Sequence, residues 1–475
     1  MLHNNQIEED EDEAFRSRVS TVDEDGQRKW VYATRPEGKF YNLRLYLAYF
    51  YLAIFFIMPL IRIDGAQFLQ FNVLEGKFNL FGKIFWPTDF FIFAIAFITL
   101  IITIVLFTVV YGRIFCGWIC PQTIFMEFVF RQIEWWIEGT PTQQRKLNKA
   151  PWNKEKILKK GSKQIIFFLF SFLIANTFFA YIIGSDVLFE KIKQPISENF
   201  ATLLGLFGFT IAFYLVFAYV REIVCTTICP YGRLQGVMFD KDTMQISYDY
   251  NRGEPRGKLK NKEAENLGDC IDCKKCVVVC PTGIDIRDGV QMECVGCTAC
   301  IDACDDIMEQ INLPKGLIRY ASENEIESGQ KSPLTLKVKA YTGLLIILFI
   351  FLGTLIATRK NIDTFIGRVK GQTYQVNTDG TISNLFDAKI INKSKLDMPV
   401  ELKLIDIQGK IKIIGHTGTH LLLKKEEINK TTFFIELLKS EIKPGTSVVK
   451  VGVYRDGKLI QKVETKFLGP LNFKS

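Results

Sequence analysis

Twelve cysteines against three histidines in a chain of 475 residues set the chemistry to consider. All twelve cysteines fall into two repeats. One is Cys270-x2-Cys273-x2-Cys276-x3-Cys280-Pro281, followed 24 residues on by Cys294-x2-Cys297-x2-Cys300-x3-Cys304. The other is Cys116-Gly-Trp-Ile-Cys120-Pro121 and Cys225-Thr-Thr-Ile-Cys229-Pro230. Soft thiolates without imidazole or carboxylate partners select Cu(I), zinc or iron–sulfur centres. The histidines, His3, His416 and His420, stand outside every apolar run, which excludes a haem held by histidines within a membrane. His416 and His420 have no third ligand in view and read as polar residues of a loop or strand end.

The first repeat has the spacing of a bacterial two-cluster ferredoxin, in which the fourth cysteine of each run ligates the other cluster. Carried onto this chain, Cys270, Cys273, Cys276 and Cys304 hold one 4Fe-4S cluster, and Cys294, Cys297, Cys300 and Cys280 the second. A tight x2-x2 run wraps three corners of a cubane. A tetrahedral zinc site uses cysteine pairs at longer separation instead. Asp302, Asp305 and Asp306 crowd the end of the second run, where Asp305 stands in the place of proline. Negative charge there is expected to lower a cluster's potential.

In the second repeat each copy follows an uncharged run and has an arginine just upstream, Arg113 or Arg221. Proline suits the first position of a helix, so Cys120 and Cys229 are expected N-caps. The helix dipole and the arginine should both favour thiolate there. Metal binding or thiol redox chemistry is the reading preferred over plain burial, because the whole unit recurs. Met126 and Met238 are soft auxiliaries or simple packing. The stretch from Pro121 to Ile137 reads as an interfacial aromatic helix, its charged face equally consistent with solvated surface.

Five apolar runs must position these groups, at about 41–61, 90–111, 164–184, 200–220 and 340–358. Each is long enough for roughly 30 Å of hydrocarbon, and Arg44 is the only charge in any of them. With 48% hydrophobic residues, 40 Phe and a mean hydropathy of +0.12, the chain is an integral membrane protein. A scattered net charge of +8 gives no footprint for nucleic acid. Lys and Arg number ten in 112–163, three in 62–87 and two in 185–199, which puts 112–163 in the cytoplasm. The N-terminus and the 221–339 insert then lie inside and everything after 359 outside. That keeps the cysteines on the reducing side.

Beyond the last run, alternation at Val400, Leu402, Leu404 and at Val449, Val451, Val453, with Asp379-Gly380 and Asp456-Gly457 turns, predicts a small β-sandwich. The expected organisation is a cytoplasmic segment 1–40; four transmembrane helices within 41–235 bearing the Cys-x3-Cys-Pro motifs; a ferredoxin insert 236–339; a fifth helix 340–358; and an exported β domain 359–475.

The passages FWPTDF, GRIFCGWICPQT, APWNKEK, CTTICPYGRLQG, RGEPRG and GDCIDCKKCVVVCPTGIDIRDGVQMECVGCTACIDACD running on to GLIRY resemble the cytochrome c oxidase accessory proteins, the CcoG, FixG or RdxA family of bacterial cbb3-type oxidase assembly. They span about residues 62 to 320. The resemblance implies an immunoglobulin-like tail and a membrane oxidoreductase of the bacterial inner membrane that reduces Cu(II) to Cu(I) for delivery to the oxidase. Cys116, Cys120, Cys225 and Cys229 would carry the copper and the eight ferredoxin cysteines the electrons. Expected partners are the bilayer, copper, a copper transporter or chaperone, oxidase subunits and a cytoplasmic electron donor. Quinol dehydrogenase subunits of the NapH type share the Cys-x3-Cys-Pro motif and are the alternative. A non-catalytic assembly scaffold leaves eight cluster ligands unexplained.

Overall fold

The computed structural model describes residues 28–63, 65–73, 76–80, 83–195, 197–259, 266–329, 336–359, 361–394, 396–415, 418–425 and 427–471. The chain divides into two units, residues 28–60 with 96–350 and residues 61–95 with 351–471.

Five described helices are long and apolar enough to cross a membrane: Lys39–Leu60, Phe90–Tyr111, Lys154–Ile183, Phe200–Val220 and Val338–Ala357. All five expected spans are present. The third begins ten residues earlier than its apolar run, because Asn153 caps it by accepting from the Lys156 N–H at 2.8 Å. In the first unit, the third and fourth spans meet through phenylalanines, with Phe178 stacked on Phe209 at 5.6 Å. Phe130 stacks on Phe217 at 4.4 Å and meets Phe167 edge-on at 4.9 Å. The helical run from Pro121 to Glu138 is thereby built into the core of this unit. The ferredoxin segment follows the fourth span. Its strands Gln245–Tyr248 and Ile318–Ala321 pair antiparallel and bracket the eight cysteines.

In the second unit, β1 (Ile362–Arg368), β2 (Ile382–Asn392), β3 (Met398–Ile405), β4 (Gly409–Ile413), β5 (His420–Leu423), β6 (Ile428–Leu437), β7 (Thr446–Arg455) and β8 (Lys458–Leu468) form two antiparallel sheets ordered β4-β6-β2-β1 and β5-β3-β7-β8. Inward residues alternate as the sequence predicts. Val400, Leu402, Val449, Val451 and Val453 are buried, with Phe386 stacked between Phe433 and Phe467. Asp456 and Gly457 both take positive φ, 48° and 78°, the left-handed pair a two-residue hairpin turn requires. His420 opens β5 opposite Glu401, and His416 lies outside the described residues.

Residues 61–95 read as a connection in the sequence, yet they belong to this unit. Three short strands, Leu69–Asn72, Lys77–Leu80 and Lys83–Phe85, form a meander that ends at Trp86 and Asp89. The Asp89 carboxylate accepts from Arg359 at 2.6 Å and from Lys393 at 2.5 Å. Burial pushes its pKa up, but the hydrogen bonds from Arg359 and Lys393 outweigh this and hold it below the ordinary 3.8. Asp89→Ala should leave Arg359 without its carboxylate and Lys393 with Asp363 alone, and cost roughly 1–3 kcal/mol. A depressed carboxylate stabilises above its unfolded pKa, so the wild-type contribution is present above pH 3.8 and fades as pH falls below it. Thermal unfolding of Asp89→Ala beside wild type at neutral pH tests this, and equal melting temperatures would refute it.

Candidate metal centres

The ferredoxin cysteines sit on loops bent by residues in left-handed conformation. Asp272, Lys274 and Thr298 have φ of 51°, 55° and 62°, and Gly296 has 68°. These turns direct successive cysteines of each run to one side. Cys276 and Cys300 then fall in the first turn of helices Lys275–Val278 and Ala299–Gln310. All twelve cysteines are free thiols. Electrostatic neighbours group them as the crossed pattern expects, with Cys304 felt by Cys276, Cys270 and Cys273, and Cys280 by Cys294, Cys297 and Cys300. Burial pushes Cys276, Cys297 and Cys304 up to about 12 and Cys294 to about 11, with neighbouring sulfurs adding to it. Converging buried thiols that resist ionising beside one another fit a cationic cluster core, which supplies the missing positive charge.

The two groups differ in their surroundings. Arg113 and Arg44 approach the inner group, donating to the carbonyls of Cys294 at 3.3 Å and Cys297 at 2.7 Å. Asp305 adds negative charge beside Cys304 in the outer group. Arg287 stands beside Cys276 in that outer group, and Glu293 beside Cys294 in the inner one, so each group has neighbours of both signs. The sequence expectation grouped three aspartates, but Asp302 turns away. It caps the first span, accepting from the Phe40 and Tyr41 N–H groups at 3.1 and 2.7 Å.

Cys120 and Cys229 are N-caps, each followed by proline at the first helical position of Pro121–Phe125 and Pro230–Met238. Their backbones match, with φ/ψ of −59°/124° and −68°/113°. The structure gathers both motifs in one place, since Cys225 has Cys120, Cys116 and Cys229 as electrostatic neighbours. Among the described residues, no three of His, Cys, Asp and Glu stand ready to hold a single ion. The thiolate expectation concerns the N-caps Cys120 and Cys229; the other two thiols of the motifs, Cys116 and Cys225, resist ionising. Burial dominates and pushes both to about 12, despite Arg113 beside Cys116. A metal binding there must displace protons. The Cys116 thiol lies 3.6 Å from Gln235 Oε1, and the buried Gln235 Nε2 meets no acceptor. Met126 packs among Phe125, Phe130 and Phe217.

The two cysteine systems touch. A Cβ on Gly117 would fall 2.5 Å from the Gly296 carbonyl oxygen, and one on Gly296 would fall 2.7 Å from the Arg113 oxygen. Only glycine lets these backbones cross, placing Cys116 and Cys297 in adjoining peptides, and both pack in one apolar cluster with Cys225. Arg44 fastens the crossing. Buried in the first span, it donates to the Gly117 oxygen at 3.0 Å as well as to Cys297. Its signal in the sequence was being the lone charge of an otherwise uncharged span.

Arg221 has φ of 55° and is wholly buried, paired with both oxygens of Glu134 at 2.5 and 2.9 Å. Burial pushes Glu134 up, but Arg221 prevails and holds it at about 2. Lys163, Glu138, Glu222 and Arg131 extend this network. The charged face of 121–138 is therefore buried and paired, which corrects the solvated reading. Its role is to hold the turn that presents Cys225.

Residues 220–323 match the family described as the 4Fe-4S dicluster domain, 93–140 the family described as a 4Fe-4S binding domain, and 352–470 the IG-like fold at the C-terminal of FixG. Both Cys-x3-Cys-Pro motifs thus fall inside matches described by 4Fe-4S binding. Protein RdxA of Cereibacter sphaeroides is 32% identical over 77% of this chain and 80% of its own length, and RdxB of that organism 33% over the same shares. The nitrogen fixation protein FixG of Rhizobium meliloti is 34% identical over 62% of this chain and 58% of its own length. With its five membrane-length helices, dicluster segment and immunoglobulin-like tail, the chain belongs to the FixG/RdxA family of iron–sulfur membrane proteins.

Proposed function

We propose that this protein reduces Cu(II) to Cu(I) at the four-cysteine site, drawing single electrons from the ferredoxin segment, and that the Cu(I) serves assembly of a cbb3-type oxidase. The observation that carries the reading is the crossing of Gly117 and Gly296, which sets Cys116 beside Cys297. Bound 4Fe-4S clusters supply one electron at a time. The Cys294 group adjoins the four-cysteine site and passes electrons to it, while the Cys270 group, with the exposed Cys273, completes the wire. Cys116, Cys120, Cys225 and Cys229 offer soft ligands that favour the reduced ion, so the product is held more firmly than the substrate. Arg44 and Arg221 position the two motifs. Copper passes from a transporter or chaperone to the oxidase. Anaerobic purification with metal analysis and EPR, with and without added copper, tests the reading. Clusters that stay reduced when Cu(II) is added would overturn it.

The site is read as cytoplasmic, with the protein in a bacterial inner membrane. Two features support this. Residues 112–163, with their ten Lys and Arg, share a unit with the ferredoxin segment, and residues 61–95 share a unit with the tail. Alkaline phosphatase fused after Ser475 should be active and a green fluorescent protein there dark. The reverse pattern would overturn the five-span orientation.

A further inference from the structure

A cavity of about 220 Å³ lies in the first unit between the first span, the run from Pro121 to Glu138 and the third span. Its walls include Tyr49, Leu52, Phe128, Gln132, Trp136 and Phe170. An apolar cavity of about 150 Å³ accommodates benzene, so this one takes a substituted six-membered ring. The wall is aromatic and apolar except for Gln132, the Tyr49 hydroxyl and the Trp136 indole N–H. Gln132 is 6% exposed and its Nε2 donates to the Tyr41 hydroxyl at 2.6 Å, while its Oε1 accepts no hydrogen bond among the described residues. An alkyl chain would leave that oxygen without a partner, which disfavours it. A ring hydroxyl would satisfy it.

The cavity has two ends. Gln132 is tied to Tyr41, near the start of the first span, whereas the lining residue Phe56 lies fifteen residues further along that helix, about 22 Å at 1.5 Å per residue. Tyr49 and Trp136, 52% and 76% exposed, stand at an open side. The shape suits an amphiphile with a polar ring at headgroup level and a long apolar tail. The cavity also borders the cysteine crossing. Phe128 lies beneath the Arg44 guanidinium at 5.2 Å, and Arg44 donates to the carbonyls of Gly117 and Cys297.

We propose that this cavity binds the ring of an isoprenoid quinol and that the quinol is the electron donor, which rests on the reading that the eight ferredoxin cysteines hold two clusters. Conversion of quinol to quinone releases two electrons and two protons. Each cluster accepts one electron, and the protons leave to water at the headgroup end. Gln132 orients the ring and exchanges no proton.

The test uses the full chain in nanodiscs under anaerobic conditions. Decylubiquinone should quench Trp136 fluorescence saturably, a signal that needs no cluster, and Trp136→Phe should remove most of it. An azido-quinone should label the peptide containing Phe128 and Gln132. Gln132→Leu should weaken binding at least tenfold with iron content unchanged. Decylubiquinol should reduce the clusters seen by EPR, and Gln132→Leu should slow that at least tenfold while dithionite reduces both proteins alike. If decanol displaces the quinone equally well and Gln132→Leu binds like wild type, the cavity seats lipid chains and the proposal is overturned. Binding without cluster reduction, where dithionite succeeds, overturns the donor role. Saturable binding to a protein that carries no iron would instead overturn the cluster reading and leave the quinone site standing.

Discussion

Cys280→Ser or Cys304→Ser should each reduce iron from about eight atoms per chain to four or fewer, whereas Cys273→Ser should leave the inner cluster in place. The difference follows from how the chain is threaded. Cys280 sits in sequence with the first run but has Cys294, Cys297 and Cys300 as its electrostatic neighbours, while Cys304 ends the second run and faces Cys270, Cys273 and Cys276. Each crossing cysteine is a ligand of one cluster and part of the backbone that shapes the other. Cys280 stands two residues beyond the helix Lys275–Val278 that carries Cys276, and Cys304 rides on Ala299–Gln310 with Cys300. Loss of either bond frees a segment that both centres lean on, and metal binding in such small folds is itself a large share of folding free energy. Cys273 is different because it is exposed and at the rim. Iron and labile sulfide analysis on the three variants reads this directly. Eight iron atoms retained in Cys280→Ser would refute the crossed assignment, and stoichiometric zinc in the wild type would end the cluster reading.

The elements legible in the sequence are those whose signals are local. Uncharged runs of about twenty residues announce the spans, because no other segment can satisfy its backbone in hydrocarbon. The x2-x2-x3 spacing announces the ferredoxin loops, since three corners of one cubane demand it. Alternation at Val449, Val451 and Val453 announces a strand whose partner face is apolar. What stayed hidden depends on partners far apart in the chain. Asp89 meets Arg359 and Lys393, about 270 and 304 positions away, so 61–95 looked like a mere connection. Glu134 and Arg221 are 87 positions apart, and without that pairing the charges of 121–138 read as solvated. The resistance of the Cys116 thiol to ionising was hidden for a related reason. Sequence shows the arginine three residues upstream, but burial, which decides the matter, comes from Gln235 and from Val279, Val295 and Cys297 of the ferredoxin segment packing against it. Arg44 was visible as an isolated charge, but its task of joining two cysteine loops was not.

Replacing Cys116 and Cys120 with alanine, or Cys225 and Cys229, should abolish copper binding in either case and slow Cu(II) reduction more than tenfold, with the ferredoxin iron retained. Two separate copper sites would each lose half. The structure favours the all-or-none result because the four thiols are electrostatic neighbours of one another, built on two N-capping cysteines of matching backbone conformation. Removing either pair leaves two thiols, which must then fill a soft ion's coordination from Gln235 or water, both harder donors. Cys270→Ser is the complementary change. It breaks the two-cluster wire while leaving the four thiols in place, so copper should still bind and reduction should stop. The iron count adds a second axis, because the match of 93–140 to a 4Fe-4S binding family covers Cys116 and Cys120. If wild type holds about twelve iron atoms and both double variants lose four, the four-cysteine site is a third cluster in the wire. Copper must then be reduced at its far side. If both double variants bind and reduce copper like wild type, the copper site lies elsewhere, and electrons from the ferredoxin segment are destined for another acceptor.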